Sequence, residues 1–295
     1  MSDNKLETTQ TVKVFVTAPQ LLEQTLGKRF LNPFQNIPKN SITSGFIAID
    51  KVTKGYQGGD LVTIAVRPGI GKTSFLLSML NNIVLCENHY CGVFSIERTA
   101  NQLIKRLIES TTGISVDKIN KGNLSDIECN HVRSTVKGIA KARLLIDDQV
   151  GISTDTIKEK ARSMKSEGAE IILIDHLELL HSNKTHSGCE ADDLCNVMIE
   201  LKELAVELNI PIIVFSQLVK PILYKNKYKY TPDYINEHTD TLIFLNRPSY
   251  YHINQIDHVA DDTAEITIAK NINIGEMQTV NLRIVESLGQ FKDLN

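Results

Sequence analysis

The chain has 295 residues, 42% of them apolar, and a formal net charge of −3, so it can fill a substantial core but has no global positive field to hold nucleic acid. Any DNA or RNA contact must therefore be a local basic strip. Its five cysteines (Cys86, Cys91, Cys129, Cys189, Cys195) form no C-x-x-C pair, no secretory apolar segment opens the chain and no apolar run reaches membrane-spanning length, which predicts a soluble, cytoplasmic protein with reduced thiols and no membrane partner.

Residues 1–11 are polar, and Val12–Val16 alternates like a short strand. A helix over 17–30 follows from Thr17 as N-cap, Pro19 in the first turn, and Leu21, Leu22, Leu26 and Phe30 at helical spacing. Asn32-Pro33 and Ile37-Pro38 punctuate the next stretch, so residues 1–40 read as an N-terminal arm and linker helix leading into one domain, 41–295. Within that domain helical stretches alternate with short apolar runs at 61–66, 91–95, 144–146, 171–174, 212–215, 241–245, 264–269 and 280–285. Alternation of this kind predicts an α/β fold, a mainly parallel twisted sheet flanked by helices. Ligands of such sheets sit beyond the carboxyl ends of the strands.

The run Leu61–Val66 passes into Arg67-Pro68-Gly69-Ile70-Gly71-Lys72-Thr73-Ser74. Backbone N–H groups of a glycine turn and the helix after it can converge on phosphate oxygens, with Lys72 reaching the β- and γ-phosphates and Thr73 placing its hydroxyl on Mg²⁺. The predicted ligands are ATP and Mg²⁺. Val66 stands where the G-x-x-x-x-G-K-[ST] pattern has its first glycine, so the string alone is also compatible with an ordinary strand-turn-helix. Three later strand ends decide between the two. Glu97 follows Val93–Ile96 and can orient or deprotonate a water attacking the γ-phosphate; Asp175 closes Ile171–Ile174 and can position Mg²⁺ or its water; Gln217 follows Ile212–Ser216 and can sense the γ-phosphate through its amide.

Ser44–Phe46, Asp50–Gln57, Ala65–Thr73, Phe94–Glu97, Asp175–Leu179 with Leu173-Ile174 before it, and Ser216-Gln217-Leu218 together resemble the RecA-like motor domain of DnaB-type replicative helicases, over roughly 41–294. That family's phosphate loop also carries a small residue in place of the first glycine, which accounts for Val66. By this resemblance Lys72 and Thr73 bind phosphate and magnesium, Glu97 is the catalytic base, Asp175 supports the metal and Gln217 senses the γ-phosphate. A RecA-type recombinase or circadian-type ATPase shares the core, but Ser95-Ile96-Glu97 and Ser216-Gln217-Leu218 fit the helicase pattern better.

Three features depart from the family. Only residues 1–40 precede the motor region, so the large helical N-terminal domain that docks primase is expected to be missing, and helix 17–30 can either act like the family's linker helix, which packs on a neighbouring subunit, or fold back on its own domain. The loop that grips single-stranded DNA is replaced by the shorter Pro232–Asp240, without its arginine or glycine, although Lys225, Lys227, Tyr228 and Lys229 just before it interleave lysines with aromatics that can neutralise phosphates and stack on bases. Near the C-terminus Lys270 keeps the family's trans contact to a neighbour's γ-phosphate, but Ile272 occupies the place of the arginine finger. A finger is worth roughly 10³–10⁵ in rate in related enzymes, and Arg247 and Arg283 are the candidates to replace it. His176, His181, His186 and Cys189 cluster in sequence without a metal-ligand spacing.

Two functions remain at this level. One is an ATP-hydrolysing, DnaB-like helicase protein of DNA replication, forming a homo-oligomeric ring on single-stranded DNA. The other is a weakly hydrolysing or inactive subunit that binds ATP and co-assembles with, or regulates, a complete helicase.

Overall fold

A computed structural model describes residues 41–184, 190–218, 233–251 and 262–294. The expected strand 12–16, helix 17–30 and the Lys225–Tyr230 strip lie outside the described residues.

In chain order the elements are α1 (Ile47–Thr53), β1 (Leu61–Val66), α2 (Lys72–Leu80, continued by a π-helical turn over Asn81–Cys86), β2 (Cys91–Ser95), α3 (Ala100–Thr112), α4 (Val116–Asn120), α5 (Asp126–Lys141) and β3 (Leu144–Asp147). There follow α6 (Thr154–Ser166), β4 (Ile171–Asp175), α7 (Glu190–Leu208), β5 (Ile212–Gln217), α8 (Asp233–His238), β6 (Thr241–Asn246), α9 (Pro248–Tyr251), β7 (Thr263–Lys270), β8 (Gln278–Val285) and β9 (Gln290–Asp293). The nine strands form one sheet in the order β3-β2-β4-β5-β1-β6-β7-β8-β9. Neighbours from β3 to β6 are parallel; β7, β8 and β9 continue the sheet as antiparallel hairpins.

The parallel strands are covered on both faces, which is why they read as continuous apolar runs. Alternate residues enter separate layers of core. Val62, Ile64 and Val66 of β1, Leu173 of β4 and Phe215 of β5 pack with α1, α2 and α3, whereas Leu61, Ala65, Ile172, Ile174 and Val214 pack with α6 and α7. The helices take their bounds from the usual signals. Thr99 with Gln102 and Ser125 with Glu128 build capping boxes at the starts of α3 and α5, and Gly113 in the left-handed region ends α3.

Strand β9 escapes sequence reading because Phe291 is its one buried side chain, too little for a period-two pattern. It nevertheless ties the C-terminal end to the start of the domain. The Asp293 carboxylate accepts from the N–H groups of Ile47 and Ala48, both at 2.9 Å, and so caps α1. Phe291 meets the edge of Phe75, which stacks on Phe46, each pair at 5.2 Å between centroids. One expectation is corrected: of the stretch read as a shortened loop over 232–240, residues 233–238 are helix α8, whose Ile235 is fully buried with the α7 layer. Burial of a single isoleucine against a neighbouring helix is a tertiary signal, which six residues of local sequence do not carry. No helix among the described residues is long and apolar enough to cross a membrane.

Asp50 on α1 is 1% exposed and accepts the Ser44 N–H at 2.7 Å. Burial pushes its carboxyl up to about 7, against the hydrogen bonds from Ser44 that pull it down. The folded state therefore holds a proton that the unfolded chain releases above about pH 4, so this group's stabilising contribution is complete in acid and declines as pH rises toward 7. Urea denaturation across pH 4–7 should show that decline, with a slope of at most about 1.4 kcal/mol per pH unit from this one proton, and Asp50→Asn should remove it. An unchanged pH dependence in Asp50→Asn would contradict the assignment.

Candidate nucleotide site

Beyond the carboxyl end of β1 the backbone turns through Arg67-Pro68-Gly69-Ile70, the Ile70 N–H bonding back to the Arg67 carbonyl at 3.3 Å. Gly69 and Gly71 hold φ of 79° and 112°, a region that side-chain-bearing residues avoid. A Cβ on Gly69 would fall 2.8 Å from the Tyr250 hydroxyl, so the tip of that side chain would have to shift. Gly71 is the N-cap of α2 and provides no side-chain cap, in contrast to Thr99, Ser125 and Ser153 at the starts of α3, α5 and α6. The first N–H groups of α2 therefore remain for a ligand, at the positive end of the helix dipole.

The loop and the strand ends beside it enclose a cavity of about 240 Å³. Of the residues expected to bind nucleotide, Arg67, Pro68, Gly69, Gly71, Lys72, Thr73, Ser74, Glu97 and Gln217 line it. Ile70 does not: its side chain is fully buried as the anchor of the loop. Asp175, 1% exposed, lies at the end of β4 within reach of Lys72.

Lys72 is the hub. Its ammonium donates to Glu97 Oε2 at 2.8 Å and to Asp175 Oδ1, and lies 2.6 Å from His176 Nδ1. His176 Nδ1 is in turn 3.3 Å from Glu97 Oε2. Burial raises the carboxyl of Glu97, but the hydrogen bond and charge of Lys72 outweigh it and hold the group below its ordinary range. Asp175 is likewise lowered: burial opposes ionisation, and the His176 hydrogen bond with the Lys72 charge prevails. Both carboxylates are thus ionised at neutral pH. Asp175 Oδ2 is buried with no hydrogen-bond partner among the described residues, and ligand atoms of Glu97, Asp175 and His176 lie within 4.8 Å of one another. A hydroxyl from Thr73 and carboxylate oxygens are hard donors suited to Mg²⁺, and the orphaned Oδ2 fits a magnesium-bound water.

Residues without an expected role also belong here. Arg98 and Arg106 line the cavity together with the phosphate loop. Glu178 accepts from Ser216 Oγ at 2.5 Å and from the Gln217 N–H at 3.0 Å, fixing the end of β5 and hence Gln217. His176, named above only as part of a sequence cluster, comes to the site as the residue after Asp175; Glu178 and the two arginines reach it only through the fold. His181 is exposed, His186 and Cys189 lie outside the described residues, and no cluster uniting the four is found among those described.

Lys270 lies elsewhere. It pairs in register with Leu242, near the start of β6, whereas the phosphate loop follows the far end of β1. Its ammonium donates to the Asn236 carbonyl of α8 at 2.8 Å, and Ile272 beyond it is 93% exposed. Neither candidate substitute arginine lines the cavity. Arg247 pairs with Glu286 and sits 5.5 Å from the centroid of the Tyr250 ring, and Arg283 is an exposed residue of β8.

A parallel sheet with a glycine turn and an uncapped helix at its carboxyl edge, and with carboxylates closing the adjacent strands, defines a RecA-like fold of the P-loop NTPase type. Residues 41–293 match the DnaB-like helicase C terminal domain, and the chain belongs to that family. It is 30% identical over 260 residues to the replicative DNA helicase DnaC of Bacillus subtilis, a stretch that is 86% of this chain and 56% of that protein. It is 31% identical over 264 residues to the replicative DNA helicase DnaB of Haemophilus influenzae, covering 86% and 55%. The chain thus spans little more than half the length of these relatives. Among solved structures, a DnaB-like replicative helicase, solved in a study of its interactions with primase, superposes with a TM-score of 0.76 at 26% identity, covering 93% of this chain and 65% of that one. A solved ATPase domain superposes with a TM-score of 0.77, also at 26% identity, covering 93% and 97%.

If Lys72 helps to hold the two carboxylates ionised, Lys72→Ala should move the titration midpoints of Glu97 and Asp175 upward, although His176 still bonds Asp175. Side-chain carboxyl ¹³C NMR titration measures this. Unmoved midpoints would show that the ammonium is not what lowers them.

Proposed function

We propose that residues 41–295 bind ATP with Mg²⁺ and hydrolyse it as the motor domain of a helicase-like protein of DNA replication, acting in the cytoplasm on single-stranded DNA. The observation that carries this reading is Lys72 held between Glu97 and Asp175 beside the uncapped start of α2. Entry of a phosphate offers Lys72 a stronger anionic partner. As the ammonium turns to the phosphates, Glu97 loses the group that keeps its carboxyl low and becomes a better acceptor for the proton of an attacking water. Asp175 is left to face the metal, and Gln217, braced by Glu178, faces the terminal phosphate. Magnesium, when bound, neutralises charge on the β- and γ-phosphates.

The position of Lys270 supports a ring. At the opposite end of the sheet from its own phosphate loop, it can meet a γ-phosphate only on another copy, as in a head-to-tail, heterologous assembly. Residues 1–40 are proposed as the arm joining copies, and Lys225, Lys227, Tyr228 and Lys229 as a contact for single-stranded DNA. One observation favours the second reading: Ile272, 93% exposed where the family has its trans arginine, supplies no charge to a neighbour. A mixed assembly with a complete helicase would provide it.

Glu97→Gln should lower ATP turnover by about 100-fold or more while leaving nucleotide binding intact; equal turnover in the variant would contradict the role of Glu97. ATPase rates with and without single-stranded DNA, alongside oligomeric mass, separate the two assemblies. Stimulation by DNA in a homo-oligomer is the expected result, and stimulation only after a complete DnaB-type helicase is added would favour the co-assembling subunit.

A further inference from the structure

We propose that Arg98 is a terminal-phosphate contact supplied by the chain to its own nucleotide, a cation in cis that distinguishes a nucleoside triphosphate from a diphosphate; this rests on the nucleotide reading above.

The turn that carries Arg98 is held at both ends. Ser95 Oγ donates to the Arg98 carbonyl at 2.7 Å, and the next residue, Thr99, caps α3 with its side chain. Fixing the turn on both sides removes the backbone share of the cost of ordering Arg98. Arg98 lines the same cavity as Lys72 and Thr73.

The charges converge on one carboxylate. Glu97 gives Oε2 to Lys72 at 2.8 Å, while its Oε1 lies 3.7 Å from Arg98 Nη2. Two cations therefore share a single negative charge. A terminal phosphate carries more charge and three oxygens, and matches the planar fork of a guanidinium in a way one distant carboxylate oxygen does not. Arg98 Nε is moreover buried, with no hydrogen-bond partner among the described residues. A guanidinium has five donors and no acceptor, and buried donors are ordinarily paired. An unpaired one beside a phosphate loop is a donor available to an anion. Arg247, engaged with Glu286, and Arg283 do not line the cavity.

Equilibrium binding of ADP and of the non-hydrolysable β,γ-imido analogue of ATP, each with Mg²⁺, tests the assignment on the full chain. Arg98→Ala should weaken the triphosphate analogue by about tenfold or more and ADP by less than about threefold. Arg98→Lys, which keeps the charge but loses the fork, should fall between wild type and Arg98→Ala for the analogue, and carries the same comparison if Arg98→Ala does not fold. The discrimination should persist on dilution to the monomer, because the contact is internal. Equal loss for both nucleotides, no loss for either, or discrimination that vanishes on dilution would overturn the proposal. A wild-type chain that binds neither nucleotide would instead overturn the nucleotide reading itself.

Discussion

Everything at this site depends on keeping a carboxylate ionised where water hardly reaches it. Asp175 is 1% exposed at the end of a strand buried on both faces, and an isolated charge there would protonate instead. The His176 hydrogen bond and the Lys72 ammonium together prevent this, and the sheet order brings the ammonium there. Strands β2, β4, β5 and β1 lie side by side, with Ser95 level with Asp175 and Val66 level with Gln217. The phosphate loop after β1, Glu97 after β2, Asp175 on β4 and Gln217 on β5 consequently share one edge, though they are far apart in the chain. A different strand order would leave the same motifs separated.

Much of this was legible in the sequence because burial on both faces leaves little ambiguity. Runs such as Ile171–Ile174 and Ile212–Phe215 are short and rich in β-branched residues, which favours central strands, and a polar residue directly after each is then placed by the sheet's polarity. The loop Gly69–Thr73 was legible for a different reason, since its glycines occupy backbone conformations that few other residues adopt. Hidden features depend on contacts between distant segments. Glu178 braces Gln217 across two strands, Asp293 caps α1 from the other end of the domain, and Arg98 joins the cavity only when β2 is set beside β4. Helix α8 belongs to the same group, because its reason to be helical is the α7 layer that buries Ile235.

The far end of the sheet is built with equal care but carries no phosphate chemistry of its own. Asn271 Nδ2 donates to Thr241 Oγ1 at 2.8 Å and Asn273 Nδ2 to the Thr53 carbonyl at 2.7 Å, so the turn between β7 and β8 is pinned to the bodies of β6 and α1. Lys270 is pinned in the same way to α8. Ile272 projects from this rigid base. The domain thus presents its phosphate loop at one end and an anchored lysine with an apolar tip at the other, a polarity that suits head-to-tail contact between copies.

The central claim is that Lys72 is the cation on which phosphate binding turns, and equilibrium titration of Mg²⁺–ATP onto wild type and Lys72→Ala tests it most directly. Loss of one charge-assisted contact in a partly buried site corresponds to a weakening of about 10- to 100-fold, which is the result expected. Equal affinity of the two proteins for Mg²⁺–ATP would contradict it.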